Sequence, residues 1–334
     1  APIFREQSAR KRGGVTPKPA TPAKKDVEDS PWNTDLANSL LTADVQQMMD
    51  DKGSGLDAGG MALHYVNDDD TVQACAEEMW RLRIGSVVAK NAATGDIAGM
   101  EALARWEHPD RGVILPGAFL PAIAASGLSQ RLGEVILNHS MTALRDWGAA
   151  GEHVPNVAVN FSHEELADPT LCDRIRWELD RFDLSPDRLC VEILETVISR
   201  SENDSITRNV TRLNELGCKI DLDDFGTGHA SIANIRRFSV GRIKIDRSFV
   251  TRIDTDRDQQ SLLTAILEMA ERLGIETLAE GVETVGEHAL LAQLGCNFVQ
   301  GFSIARPMPF AETLDWIRIH RQRLSDQPRI AREA

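Results

Sequence analysis

From about residue 84 onward, short runs of β-branched and aliphatic residues alternate with longer stretches whose apolar positions recur every three or four residues. The short runs predict strands over 84–89, 97–104, 157–161, 189–194, 219–223, 242–246, 276–279 and 298–301. The longer ones predict helices over 128–147, 164–181, 205–216, 259–273, 285–294 and 311–321. Eight strands in this alternation suit a closed (β/α)8 barrel of the TIM-like kind. An open doubly wound sheet would announce itself with a Gly-rich loop after its first strand, and neither GxGxxG nor GxxxxGK[ST] follows any strand here. Only residues 91–96 separate the first two strands, too few for a crossover helix. The first strand should therefore be antiparallel and the barrel a modified one.

Upstream the pattern fades. Residues 1–30 hold Arg10-Lys11-Arg12 and a Pro- and Lys-rich stretch that cannot form a core, so a disordered tail is expected. Residues 31–83 read as a linker with helical segments, carried by Leu36, Leu40, Leu41 and Val45. A further helix is expected from the acidic start at Asp68-Asp69-Asp70 through Ala74, Met79 and Leu82. The barrel domain is then 84–322, with a C-terminal tail over 323–334.

The bulk numbers narrow the function classes. Hydrophobic residues make 42% of the 334 and charged ones 26%, the balance of a globular protein. No apolar run approaches a membrane span, and no charged-then-apolar leader opens the sequence. A net charge of −14 disfavours long nucleic acid as a partner. Cys75, Cys172, Cys190, Cys218 and Cys296 lack CxxC spacing and read as buried thiols in a reducing compartment. A cytoplasmic setting is the expectation, alone or as the soluble part of a larger or membrane-attached protein.

Chemistry enters with the placement of acids and amides at strand ends. Glu101 lies in the second predicted strand, Asn160 in the third and Glu192 in the fourth. Asp223 and Asp224 end the fifth, Asp246 the sixth and Glu280 the seventh, and Gln300 falls at the eighth. Barrel strand ends converge on one face, so these groups should meet in one concave site. That many carboxylates repel one another unless cations intervene, and hard oxygen ligands favour Mg²⁺ or Mn²⁺ over zinc. Two such ions would form a clamp suited to phosphodiester cleavage. Lys244 precedes Asp246 by two residues, so alternation should turn both toward the acids. Each acid alone is better read as a helix cap or a solvated loop residue. Only the constellation carries the functional reading.

These residues fall within motifs that resemble the EAL-domain cyclic di-GMP phosphodiesterases. The run Glu101-Ala102-Leu103-Ala104-Arg105-Trp106 is followed in order by Val159-Asn160-Phe161-Ser162 and Glu192-Ile193-Leu194-Glu195-Thr196. Asp223-Asp224-Phe225-Gly226-Thr227-Gly228, Lys244-Ile245-Asp246-Arg247-Ser248-Phe249-Val250 and Ala279-Glu280-Gly281-Val282-Glu283-Thr284 come next. Gln300-Gly301-Phe302 and Arg306-Pro307-Met308-Pro309 close the series, which covers residues 84 to 320. The resemblance implies metal ligation by Glu101, Asn160, Glu192, Asp223 and Asp224. Lys244, Glu280 and Asp246 would serve the chemistry, Arg105 and Gln300 the substrate. Glu195 would anchor the loop after the Asp pair, whose turns Gly226 and Gly228 permit. It further implies cyclic di-GMP as substrate, linear pGpG as product, and a homodimer through Ile232–Phe238.

Two positions depart from the family pattern. Counting back from Glu101, Val87-Val88-Ala89 stands where the family carries Gln-Pro-Ile, although Ala62-Leu63-His64-Tyr65-Val66 resembles residues that ordinarily precede that element. His229-Ala230-Ser231 replaces an aromatic followed by two serines. Two other functions compete with the hydrolase. A silent receptor would bind cyclic di-GMP and signal to a partner, and a barrel enzyme on another phosphate ester would keep the metals and change the ligand.

Overall fold

A computed structural model describes residues 82–108, 111–200, 204–227 and 232–326. The expected tail, the linker helices, Cys75, Ala62–Val66 and His229 lie outside these residues. Described structure begins with β1 (Leu82–Asn91), β2 (Ile97–His108) and β3 (Gly112–Ile114), then α1 (Pro116–Ala125) and α2 (Ser129–Ala149). There follow β4 (Val157–Asn160), α3 (His163–Ala167), α4 (Leu171–Phe182), β5 (Leu189–Leu194), α5 (Glu195–Arg200) and α6 (Asp204–Leu216). Next come β6 (Lys219–Phe225), α7 (Ile232–Arg237), β7 (Arg242–Ile245), α8 (Arg247–Val250) and α9 (Arg257–Leu273). β8 (Glu276–Ala279), α10 (Val285–Gln293), β9 (Phe298–Gln300), β10 (Met308–Pro309) and α11 (Phe310–Asp326) complete the order.

Strands β2, β4, β5, β6, β7, β8 and β9 pair in parallel in that sequence. β1 runs antiparallel to both β2 and β9 and so closes an eight-stranded barrel. The short turn between β1 and β2 dictates this, since it can build a hairpin but no crossover. Asn91 organises that turn, its side-chain oxygen accepting from the backbone N–H groups of Ala93 and Thr94.

Period-two alternation decides which side chains face the helices. Val157, Val159, Leu189, Val191, Ile193, Ile220, Leu222 and Ile243 are at most 2% exposed and pack outward into one apolar cluster with α2, α4 and α6. Inward-facing positions are polar to an unusual degree. Asp221 and Arg242 form a buried ion pair inside the barrel, and Arg242 also reaches the Cys190 sulfur at 3.8 Å. Barrel interiors are ordinarily filled by branched aliphatic side chains, so this polar filling is tolerable only because each charge has a partner. Cys172, Cys190, Cys218 and Cys296 are free and buried.

Several boundaries differ from expectation for local reasons. The single helix predicted over 164–181 is two, α3 and α4, parted by Asp168-Pro169-Thr170. Pro169 lacks the N–H a continuous helix requires, and the Asp168 carboxylate accepts from Thr170 N–H instead. Leu82 opens a strand rather than closing a helix. α11 continues to Asp326, beyond the expected end of the barrel domain. β3, β10, α1, α5, α7 and α8 were not anticipated; each is short or, like α1, interrupted by proline.

Candidate active site

Lys244 is the centre of the site. Its position on β7 turns it into the barrel, where it is 1% exposed. The ammonium lies 3.3 Å from Glu101, 2.9 Å from Glu192, 3.0 Å from Asp223 and 2.9 Å from Glu280. Strands β2, β5, β6 and β7 and the residue that follows β8 therefore contribute to one cluster. Burial alone would depress the lysine pKa, but these carboxylates raise it well above its ordinary value. The ammonium is a permanent charge at neutral pH.

The acids are held in turn by amides. Asn160, at the rim, donates through Nδ2 to Glu101 Oε1 and Glu192 Oε2, both at 3.0 Å. Gln300 donates to Glu101 Oε2 at 2.7 Å. Burial opposes ionisation of Glu101, but Lys244 and these two amides outweigh it and hold the carboxyl below its usual value. Glu192 has no such surplus. Burial and the neighbouring Glu101 charge push it well above the carboxylate range. Glu280 is pushed up to about 7, first by burial, against the pull of Lys244 and with repulsion from Asp223 and Glu101.

Adjacent residues in a strand face opposite sides, so Asp223 and Asp224 should not share a site. A bulge in β6 resolves this. Leu222 pairs with Ile243 and Phe225 with Ile245, leaving two residues opposite the single Lys244. Asp224 takes a left-handed conformation with φ 54°. Asp223, Asp224 and Glu280 thereby offer oxygens within 4.8 Å of one another. Burial, then Asp223 and Asp246, raise the Asp224 pKa. The donors are hard oxygens, and the lone ammonium is outnumbered by Glu101, Glu192, Asp223, Asp224 and Glu280. Such a set fits a divalent cation.

The remaining expected residues sit around this cluster. Glu195, 3% exposed, accepts from Gly226 N–H at 2.8 Å and ties down the root of the loop after β6. Arg105 donates to Ala104 O at 2.7 Å; burial lowers its pKa while nearby Glu101 raises it. Asp246 lies at the edge of the cluster, near enough for its charge to raise the Asp224 pKa. β7 ends at Ile245, so alternation no longer applies, and the Asp246 carboxylate caps α8 by accepting from Ser248 N–H at 2.9 Å.

The cluster floors a cleft of about 290 Å³, whose lining includes Val87, Leu103, Phe302 and Pro307 on the apolar side. Arg247 and Glu283 add charge to its lining. A family model for the EAL domain matches residues 86–307 and so reaches every strand of the barrel, from within β1 through β9. The chain belongs to the EAL domain family. Relatives agree. The bifunctional diguanylate cyclase/cyclic di-GMP phosphodiesterase MucR of Pseudomonas aeruginosa is 38% identical over 223 residues, 67% of this chain and 32% of that protein. The cyclic di-GMP phosphodiesterase PdeR of Escherichia coli is 35% identical over 230 residues, 69% of this chain and 34% of that one. The chain thus spans about a third of the length of these curated relatives. A solved phosphodiesterase structure of PaMucR in complex with c-di-GMP superposes with a TM-score of 0.67 at 37% identity, covering 71% of this chain and 96% of that one.

In this EAL domain the antiparallel register sets Val87 opposite Glu101, so Val87-Val88-Ala89 occupies the first-strand position beside the acids. Leu103, Arg247, Glu283 and Phe302 line the cleft without a role having been given them from sequence, and Val87, noted there as a departure from the family pattern, joins them. The Val87 pairing needs the hairpin register, and the others need the loop paths after β7, β8 and β9. Among the described residues, no helix is long and apolar enough to cross a membrane.

Proposed function

We propose that this domain hydrolyses cyclic di-GMP to linear pGpG with the help of two divalent cations, Mg²⁺ or Mn²⁺. The convergence of Glu101, Glu192, Asp223 and Glu280 on Lys244 at the floor of the cleft carries the reading. The names of MucR and PdeR and the cyclic di-GMP complex of the solved relative support the choice of substrate. Glu101, Asn160, Glu192, Asp223 and Asp224 would hold the ions, with Glu280 beside them. Bound divalent ions supply a lowered pKa for water and neutralise charge on the attacked phosphate.

The chain's own groups prepare the rest. In hydrolysis the water oxygen bonds to phosphorus, the P–O3′ bond breaks, and one proton reaches the leaving oxygen. Lys244, fixed in place by its carboxylate partners, holds a positive charge where the phosphate would approach. Glu280, 2.9 Å from Lys244 at the floor of the cleft, would take up a proton from the water. Gln300 and Asn160 lock the Glu101 carboxylate in orientation. Arg105 stands near Glu101 as a partner for a substrate phosphate oxygen. Asp246 acts from the edge through its charge on Asp224.

A silent receptor for cyclic di-GMP is the second reading; Val87 beside Glu101 cannot hydrogen-bond a base, which lowers ligand affinity under either reading. The intact acid and lysine cluster favours the enzyme. A homodimer through Ile232–Phe238, where Ile232 is 51% exposed at the start of α7, and a cytoplasmic setting complete the proposal. Purified chain with Mg²⁺ or Mn²⁺ is given cyclic di-GMP and the products are separated. Linear pGpG supports the hydrolase; tight binding without turnover supports the receptor; no binding leaves another phosphate ester as substrate.

A further inference from the structure

The bulge that unites Asp223 and Asp224 is an unfavourable local conformation, so something must hold it. Asp224 is left-handed at φ 54° and Gly226 at φ 102°, two unusual residues within one short span. Two contacts meet at Gly226. On one side its N–H donates to the buried Glu195 carboxylate at 2.8 Å. On the other the Phe249 ring lies against its α-carbon so closely that a Cβ there would fall 2.6 Å from ring atom Cζ. Only glycine leaves that notch, and the Phe249 ring fills it. Phe249 stands on α8, which follows directly from the strand carrying Lys244. Its ring also packs against the apolar cluster of Ile245, Val250, Ile253 and Leu263, which fixes where it can point. Asp246 N–H reaches back to Phe225 O and Phe249 N–H to Asp246 O, so the two segments are laced through the backbone as well.

We infer that Phe249 is a positioning residue for the metal-binding acids: its ring, seated on Gly226, fixes the β6 bulge that presents Asp223 and Asp224 together. This rests on the reading of those acids as metal ligands. Phe249 touches no ligand oxygen and acts through the backbone between Gly226 and Asp224. Supporting groups outside the ligand set typically govern metal affinity by ~10- to 100-fold.

Mn²⁺ binding, followed by the electron paramagnetic resonance of the free ion, tests this without turnover. Phe249→Ala should bind Mn²⁺ at least ~10-fold more weakly than the unaltered chain. Phe249→Leu should fall between them. Leu263→Ala, a cavity variant in the same apolar cluster, should lower thermal stability yet keep the original Mn²⁺ affinity. Unchanged affinity in Phe249→Ala, or an equal loss in Leu263→Ala, overturns the inference. Should the alanine variant not fold, unchanged affinity in Phe249→Leu overturns it equally. Absence of Mn²⁺ binding by the unaltered chain, or undiminished binding by Asp223→Asn/Asp224→Asn, would instead remove the metal reading and this inference with it.

Discussion

Replacing Lys244 by methionine keeps the side-chain volume and deletes the charge. The ammonium makes four carboxylate contacts between 2.9 and 3.3 Å while 1% exposed. At an effective dielectric near 20, each contact of about 3 Å is worth roughly 5 kcal/mol of gross attraction. Most of that total is offset by desolvating the ammonium and by the repulsion among the acids it gathers. Removing one partner from a buried ionic network nets a loss of ~3–5 kcal/mol, because the remaining charges are left uncompensated. The acids can relieve this by binding protons, and Glu192 and Glu280 already lean that way. The loss should therefore depend on pH. Urea denaturation in EDTA should show Lys244→Met destabilised by ~3–5 kcal/mol at pH 8 and by under ~1.5 kcal/mol at pH 5. A loss equal at both values would show that packing rather than charge is what Lys244 provides, and no loss at all would refute the electrostatic account of the site.

Further outcomes follow from the same geometry. Glu101→Ala removes the carboxylate that Lys244, Asn160 and Gln300 all address, and turnover of cyclic di-GMP should fall by ~100-fold or more; a near-normal rate would remove Glu101 from the site. Glu280 titrates at about 7 in the folded chain against an ordinary 4.5, so the unfolded chain loses its proton first. Metal-free stability should then decline by ~3 kcal/mol as pH rises from about 4.5 to 7, and a flat profile in calorimetry would contradict the shift. Millimolar Mn²⁺ should raise the melting temperature at pH 8 and do so far less in Asp224→Asn, whose equal response would place the ion elsewhere. Asp221→Asn strips the buried Arg242 of its partner and should cost ~3–5 kcal/mol by denaturation, with a loss under ~1 kcal/mol showing that water compensates.

The linear pattern determined a good deal. Alternating strands and helices, with apolar residues at every second strand position, compel a sheet covered by helices on its outer face, and Val191, Ile193, Ile220 and Leu222 are buried there for that reason. The brevity of residues 91–96 fixed the antiparallel first strand, because no helix fits in them. Acids recurring at strand ends told which residues would meet, since a barrel brings those ends to one rim. What the linear pattern could not decide depends on partners distant in the chain. The β6 bulge is invisible in Asp223-Asp224 itself and exists because β7 offers one residue, Lys244, opposite two. Asp246 sits at the edge of the cluster because β7 stops at Ile245 and its carboxyl caps α8. Val87 became a wall of the cleft only through its pairing with Glu101. The ring of Phe249 found Gly226 across a fold that no spacing encodes. Periodicity is local and survives in one dimension; register, bulges and the protonation of gathered acids arise from separations of a few ångströms that only the closed barrel sets.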